Sequence, residues 1–133
     1  MPTGVFQVDP GVKLFLSTPE CQGAFGGGKC HLLLAVRQTG SIRQAALQLG
    51  RSYRKAWGDI KKAEAGLNRR LVRASRGGPG GGSAELTEFA EELVRAWEEY
   101  RAEVLMHADL AFDRHLRPIL ESRAESGTSD GEP

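Results

Sequence analysis

The sequence predicts a mainly α fold with a small β-hairpin, and three observations carry that prediction. Apolar residues recur every three or four positions through most of the stretch from Leu32 to Ile119. Residues suited to helix caps, Ser41, Ser52 and Thr87, stand directly before periodic runs, while Gly40, Gly50 and Gly66 stand at their ends. One glycine tract, Gly77-Gly78-Pro79-Gly80-Gly81-Gly82, separates two short apolar runs and marks a hairpin turn.

Taken in order, residues 1–11 show no period and read as a loose arm. Val12 to Ser17 reads as a short strand closed by Pro19, and Gly23 to Gly28 as a glycine-rich loop. Leu32, Leu33, Ala35 and Val36 mark an amphipathic helix that stops at Gly40. Ser41-Ile42-Arg43-Gln44 is a capping box that opens a second helix over Ile42–Leu49, ended by Gly50. Ser52 caps a third, running to about Ala65 before Gly66. Helix, tight glycine turn and capped helix together make a helix-turn-helix. Leu71–Ala74 and Ala84–Leu86 form the hairpin, which in this position is a wing. Thr87 then caps a long final helix reaching Leu120, with Glu88 and Glu91 in its first turn complementing the helix dipole. The predicted organisation is therefore an arm (1–11), a winged helix-turn-helix domain (12–86), a long dimerisation helix (87–120) and a disordered polar tail (121–133).

Composition is that of one ordinary globular domain, 40% hydrophobic and 26% charged over 133 residues. No apolar run approaches the roughly 20 residues of a membrane helix, and no signal peptide is legible, so the expected place is the cytoplasm, without membrane. The net charge of +1 hides an asymmetry. Between Lys29 and Arg76 twelve Lys or Arg face only Asp59 and Glu64, a balance of +10; from Glu85 onward five Arg face thirteen acids, a balance of −8. A basic middle beside an acidic end predicts a polyanion partner, double-stranded DNA, for the former alone.

The third helix carries that expectation. At 100° per residue, Ala56, Ile60, Ala63 and Leu67 share a core-facing arc, and Arg54, Gly58, Lys61, Lys62 and Ala65 lie opposite. Two small residues among cations suit close entry into a major groove, and Gly58 costs about 1 kcal/mol of helix propensity that such an approach would justify. Lys55 adds a further cation to this helix. Arg54 and Lys61 can reach guanine edges or phosphates, and Tyr53 can offer its hydroxyl to a phosphate. Trp57, at the edge of the arc, can pack on the preceding helix or stack beneath Arg54 and Lys61, and packing is the expected role. Arg73 and Arg76 flank the wing, where Gly77 and Gly78 let backbone approach the duplex.

At these positions the sequence resembles the N-terminal DNA-binding domain of ModE-type molybdate-dependent regulators, themselves related to LysR-type winged helices. The motifs that carry the resemblance are Gly40-Ser41-Ile42, Ser52-Tyr53-Arg54-Lys55-Ala56-Trp57, and the glycine wing followed by Leu86-Thr87, within roughly Val12–Tyr100. The resemblance implies a homodimer on the long helix, a recognition helix in the major groove of a palindromic operator, and DNA contacts at Ser41, Ser52, Tyr53, Arg54, Lys61 and the wing. Full-length members continue into oxyanion-binding domains. This chain reads as a stand-alone DNA-binding version, with molybdate sensing not expected within it.

The long helix supports the dimer independently. Phe89 and Leu93 can pack on their own domain, whereas Trp97, Tyr100, Val104, Ala108 and Ala111 would leave a large apolar strip in water unless a two-fold partner covered it.

Two rivals compete. Gly23-Ala24-Phe25-Gly26-Gly27-Gly28-Lys29-Cys30 nearly matches a phosphate-binding loop, but Cys30 replaces the magnesium-binding hydroxyl and no strand–helix series follows. Cys21, Cys30 and His31 could form a thiol or metal sensor, although structural zinc sites use four ligands. His107 and His115 share a helix face as surface or interface residues. No nucleophile–base–acid set can be assembled, so the sequence reads as a non-enzyme without a cofactor, and its residues name no small-molecule effector.

Overall fold

In the computed structural model the described residues are 7–75 and 82–122, and they divide into two units. The expected arm falls partly, and the wing turn and polar tail mostly, outside the described residues. The first unit, Leu14–Glu99, is a winged helix-turn-helix.

It opens on a hairpin that the sequence showed only in part. Strand β1 (Phe15–Thr18) pairs antiparallel with β2 (Cys21–Gly26). The glycine-rich stretch expected as a loop is therefore strand as far as Gly26 and helix from Gly27. Thr18 Oγ1 accepts from Cys21 N at 2.9 Å and Ser17 Oγ from Gly23 N at 2.8 Å, which fixes the turn around Pro19. Gly23 takes φ +72°, a conformation costly for other residues, so the strand can bend and bring Ala24 and Phe25 fully inside.

Helix α1 (Gly27–Thr39) follows directly and ends where expected, at Gly40 with φ +74°. Helix α2 (Ile42–Gln48) is capped by Ser41, whose hydroxyl accepts from Gln44 N at 3.0 Å. Helix α3 (Tyr53–Leu67) is capped by Ser52, accepting from Lys55 N at 3.0 Å. Gly66 does not stop α3. The helix passes through it and ends at Asn68, in the left-handed region. Gly66 instead makes room for a neighbour. A Cβ there would stand 2.5 Å from the Ala24 Cβ, so β2 can lie this close to α3 only over a glycine.

Strands β3 (Val72–Ser75) and β4 (Ser83–Leu86) form the wing, in register Val72↔Leu86 through Ser75↔Ser83. Ala84 N donates to the Gly40 carbonyl at 2.9 Å, tying β4 to the corner between α1 and α2. Thr87 Oγ1 accepts from Ala90 N at 3.1 Å and starts helix α4 (Glu88–His115). The core gathers Phe25, Leu32, Leu33, Val36, Ile60, Leu71 and Val94, all under 3% exposed, from β2, α1, α3, the approach to β3, and α4. Ala56, Ile60 and Ala63 lie in it as the helical wheel required.

Trp97 corrects the sequence expectation. It is 5% exposed and meets Phe25 edge-on, ring centroids 5.3 Å apart at 83°. Its indole belongs to the core of its own domain rather than to an exposed strip.

The described residues of the second unit are 7–13 and 100–122. In it α4 runs to His115, breaks at Leu116, and helical turns resume over 117–122. Pro118 explains the break short of the expected uninterrupted helix: it has no N–H for the carbonyl four residues back. Phe112 is buried, with the Arg117 guanidinium 5.0 Å from its ring centroid. Val104 and Ala108 are half-buried, while Tyr100, Met106, Leu110 and Ala111 are exposed. No helix among the described residues is long and apolar enough to cross a membrane.

Candidate nucleic-acid interface

Helix α3 turns a basic, partly bare face to solvent. Arg54, Lys55, Gly58, Lys61, Lys62 and Ala65 are all exposed. Gly58 is not demanded by packing, because a Cβ there would meet nothing within 4 Å. Arg54 and Lys62 form no ion pair among the described residues, so their charge is available to a partner.

The other residues of the face are held. Tyr53, 39% exposed, lies under the Arg43 guanidinium, 4.3 Å from its ring centroid. This stacks a cation of α2 on the first residue of α3 and leaves both accessible. Lys61 rides over the Trp57 ring at 4.8 Å and approaches Glu64 Oε1 at 3.5 Å. Trp57 is thus half-buried packing and a platform together. Lys55 donates to Asp59 at 2.9 Å. Ser41 and Ser52 spend their hydroxyl lone pairs on caps, but each keeps an O–H to donate.

On the wing Arg73 is exposed on β3, opposite Glu85. Arg76, Gly77 and Gly78, expected to carry the wing's contacts, lie outside the described residues.

Three residues that sequence reasoning left out shape this surface. Glu64 is the hinge of the wing: its Oε2 accepts from Leu71 N at 2.8 Å and from Val72 N at 3.2 Å, deep in the unit. Arg51 bridges Asp59 at 3.5 Å and the Gly28 carbonyl at 3.3 Å, joining the helix-turn-helix to α1. Arg43 holds Tyr53. A signal existed for Glu64 and for Asp59, the partner of Arg51. Asp59 and Glu64 are the only acids of a +10 segment, and a lone acid among so many cations is placed to organise them; their side chains are 14% and 10% exposed.

The rival sites do not assemble. Gly23–Gly26 belong to a strand and Gly27 already opens α1, so no loop is free to wrap a nucleotide's phosphates. Cys30 faces the core and His31, its neighbour on α1, is exposed; among the described residues no group of Cys, His, Asp and Glu could hold a metal ion. Burial pushes the Cys30 thiol above its ordinary pKa, helped by Glu98, which lowers its reactivity.

Known proteins share this region. Residues 29–91 match the family of bacterial regulatory helix-turn-helix proteins, lysR family. The molybdenum transport protein ModE of Herbaspirillum seropedicae is 44% identical over 68 residues, 51% of this chain and 25% of that protein. The molybdenum-pterin-binding protein MopB of Rhodobacter capsulatus is 38% identical over 79 residues, 59% of this chain and 29% of that one. The transcriptional regulator ModE of Yersinia pestis is 39% identical over 67 residues, 50% and 26% respectively. The chain thus spans less than a third of the length of these relatives. From Lys29 to Glu91, with its capped helices, glycine corner and wing, it is similar to the helix-turn-helix of the lysR family.

Proposed function

We propose that the chain is a sequence-specific, DNA-binding transcriptional regulator that binds a palindromic operator as a homodimer in the cytoplasm, without catalysis, and that its genes serve molybdate or oxyanion metabolism. The observation that carries the DNA reading is the exposed α3 face, where Arg54 and Lys62 flank a glycine that no packing requires. The molybdate part follows the names of the relatives, which speak of molybdenum transport and molybdenum-pterin binding.

A pair of substitutions tests the face. Arg54→Ala should leave the thermal melt unchanged and cost about 1–3 kcal/mol of operator affinity if Arg54 reads a base. Gly58→Ala should stabilise the free chain by up to about 1 kcal/mol, from helix propensity, yet weaken operator binding by filling the groove-facing space. Binding isotherms on operator and scrambled duplexes measure both. A Gly58→Ala chain that binds as well as wild type means that the glycine does not sit in a groove.

The dimer rests on the distal part of α4, where Tyr100, Val104, Ala108 and Ala111 recur at helical spacing and Met106 and Leu110 add exposed apolar surface. Trp97, buried in its own domain, is left out of this proposed interface. Ala108→Glu with Ala111→Glu should turn a dimer into a folded monomer in sedimentation, with helix content retained. A double variant that still sediments as a dimer places the interface elsewhere.

A further inference from the structure

The Gly23–Cys30 motif is not used by the DNA face, yet it borders a cavity of about 400 Å³. Three cations from three separate elements line it: Lys29 of α1, Arg51 of the turn before α3, and Lys55 of α3. Asp59 is the one carboxylate in its lining, and it is engaged by Arg51 at 3.5 Å and Lys55 at 2.9 Å. The lining is left with two positive charges in excess.

Lys29 is the least compensated of the three. Among the described residues it has no ion pair within 4 Å, and its Nζ donates to the Gly23 carbonyl at 3.2 Å, which leaves two N–H donors. Burial holds this ammonium below its ordinary pKa; Asp59 opposes the shift, and Lys62 and Lys55 add to it. A dianion in the cavity would reverse that penalty. Gly27 and Gly28 line the same space without side chains, and no side chain caps the start of α1. A Cβ on Gly28 would stand 3.4 Å from the Arg51 guanidinium.

We infer that this cavity binds a phosphate-class oxyanion, held by Lys29, Arg51 and Lys55, with first-turn amides of α1 completing the cradle. The charge excess selects a dianion, and the guanidinium beside two ammonium groups suits tetrahedral oxygens better than a halide. Such an oxyanion has two sources. It can be a free anion, or a backbone phosphate of bound DNA; in the second case the inference rests on the DNA-binding reading.

The test has two arms, both on the full chain. In the first, inorganic phosphate is titrated at constant ionic strength and the backbone amide resonances are followed. Saturable shifts are expected at Gly27, Gly28 and Lys29, weakened about tenfold in Lys29→Gln. The wild-type titration stands even if the variant folds poorly. In the second, duplex affinity is measured across salt concentrations. With a DNA phosphate as the source, Lys29→Gln lowers the salt slope by about one. With a free anion, the slope is unchanged and the phosphate shifts saturate. No saturable shift together with an unchanged slope overturns the site. Saturable shifts in a chain that binds no duplex overturn the DNA reading and leave the site standing.

Discussion

Trp97→Ala is expected to cost about 3–5 kcal/mol of unfolding free energy, the largest loss from any single truncation proposed for this chain. The indole is buried, and its edge-to-face partner Phe25 is fully buried with it. Truncation opens a cavity under the β1–β2 hairpin and removes an aromatic pair worth about 0.5–1.5 kcal/mol beyond its area. Chemical denaturation at several protein concentrations separates the two roles this residue could have. A core residue loses the same free energy at every concentration. A loss that shrinks on dilution belongs to an interface, because association contributes to stability only at concentrations where the wild type is dimeric.

Glu64→Ala should come second, at about 2–4 kcal/mol, because it strips the buried Leu71 and Val72 N–H groups of their shared acceptor. Leu71 is fully buried, so water cannot replace the carboxylate there. Glu64→Gln keeps an acceptor oxygen and should retain much of the stability. Amide exchange gives the local readout: Leu71 and Val72 should lose protection in Glu64→Ala well before the core of α1 does. Equal loss throughout would mean that Glu64 holds the whole fold rather than the root of the wing.

The helices were legible because their ends are written in short-range chemistry. Ser41, Ser52 and Thr87 cap as their positions in sequence require, and Gly40 takes the left-handed turn that only the local pattern demands. What stayed hidden was tertiary. The β1–β2 hairpin draws on Gly23 and Gly26, residues that mark a loop unless something packs against them. Gly66 looks like a helix stop until Ala24 lies against it. Both follow from the same unseen strand, and so does the misplacement of Trp97. A 3.6-residue period shows which face of α4 is apolar, but not how far along it the domain reaches; Phe25, hidden in a glycine-rich stretch, extends that reach to Trp97. On the α3 face, residue types and spacing located the exposed cations. Lys55 and Lys61 are restrained by Asp59, Glu64 and Trp57 of the same helix, whereas the Arg43 stack on Tyr53 depends on a neighbour from another element.

The bond from Ala84 N to the Gly40 carbonyl has a mechanical consequence. Gly40 is also fastened at its own N–H, to Val36 at 2.7 Å, and it directly precedes the Ser41 cap. The returning strand of the wing is therefore coupled, through one peptide unit, to the axle on which α2 begins. A displacement of β4 is therefore not that of a free-swinging loop. It reaches the corner as torque, and α2 must yield with it or the wing must let go. The position of β4 and the seating of α2 are thus coupled through one hydrogen-bonded peptide unit.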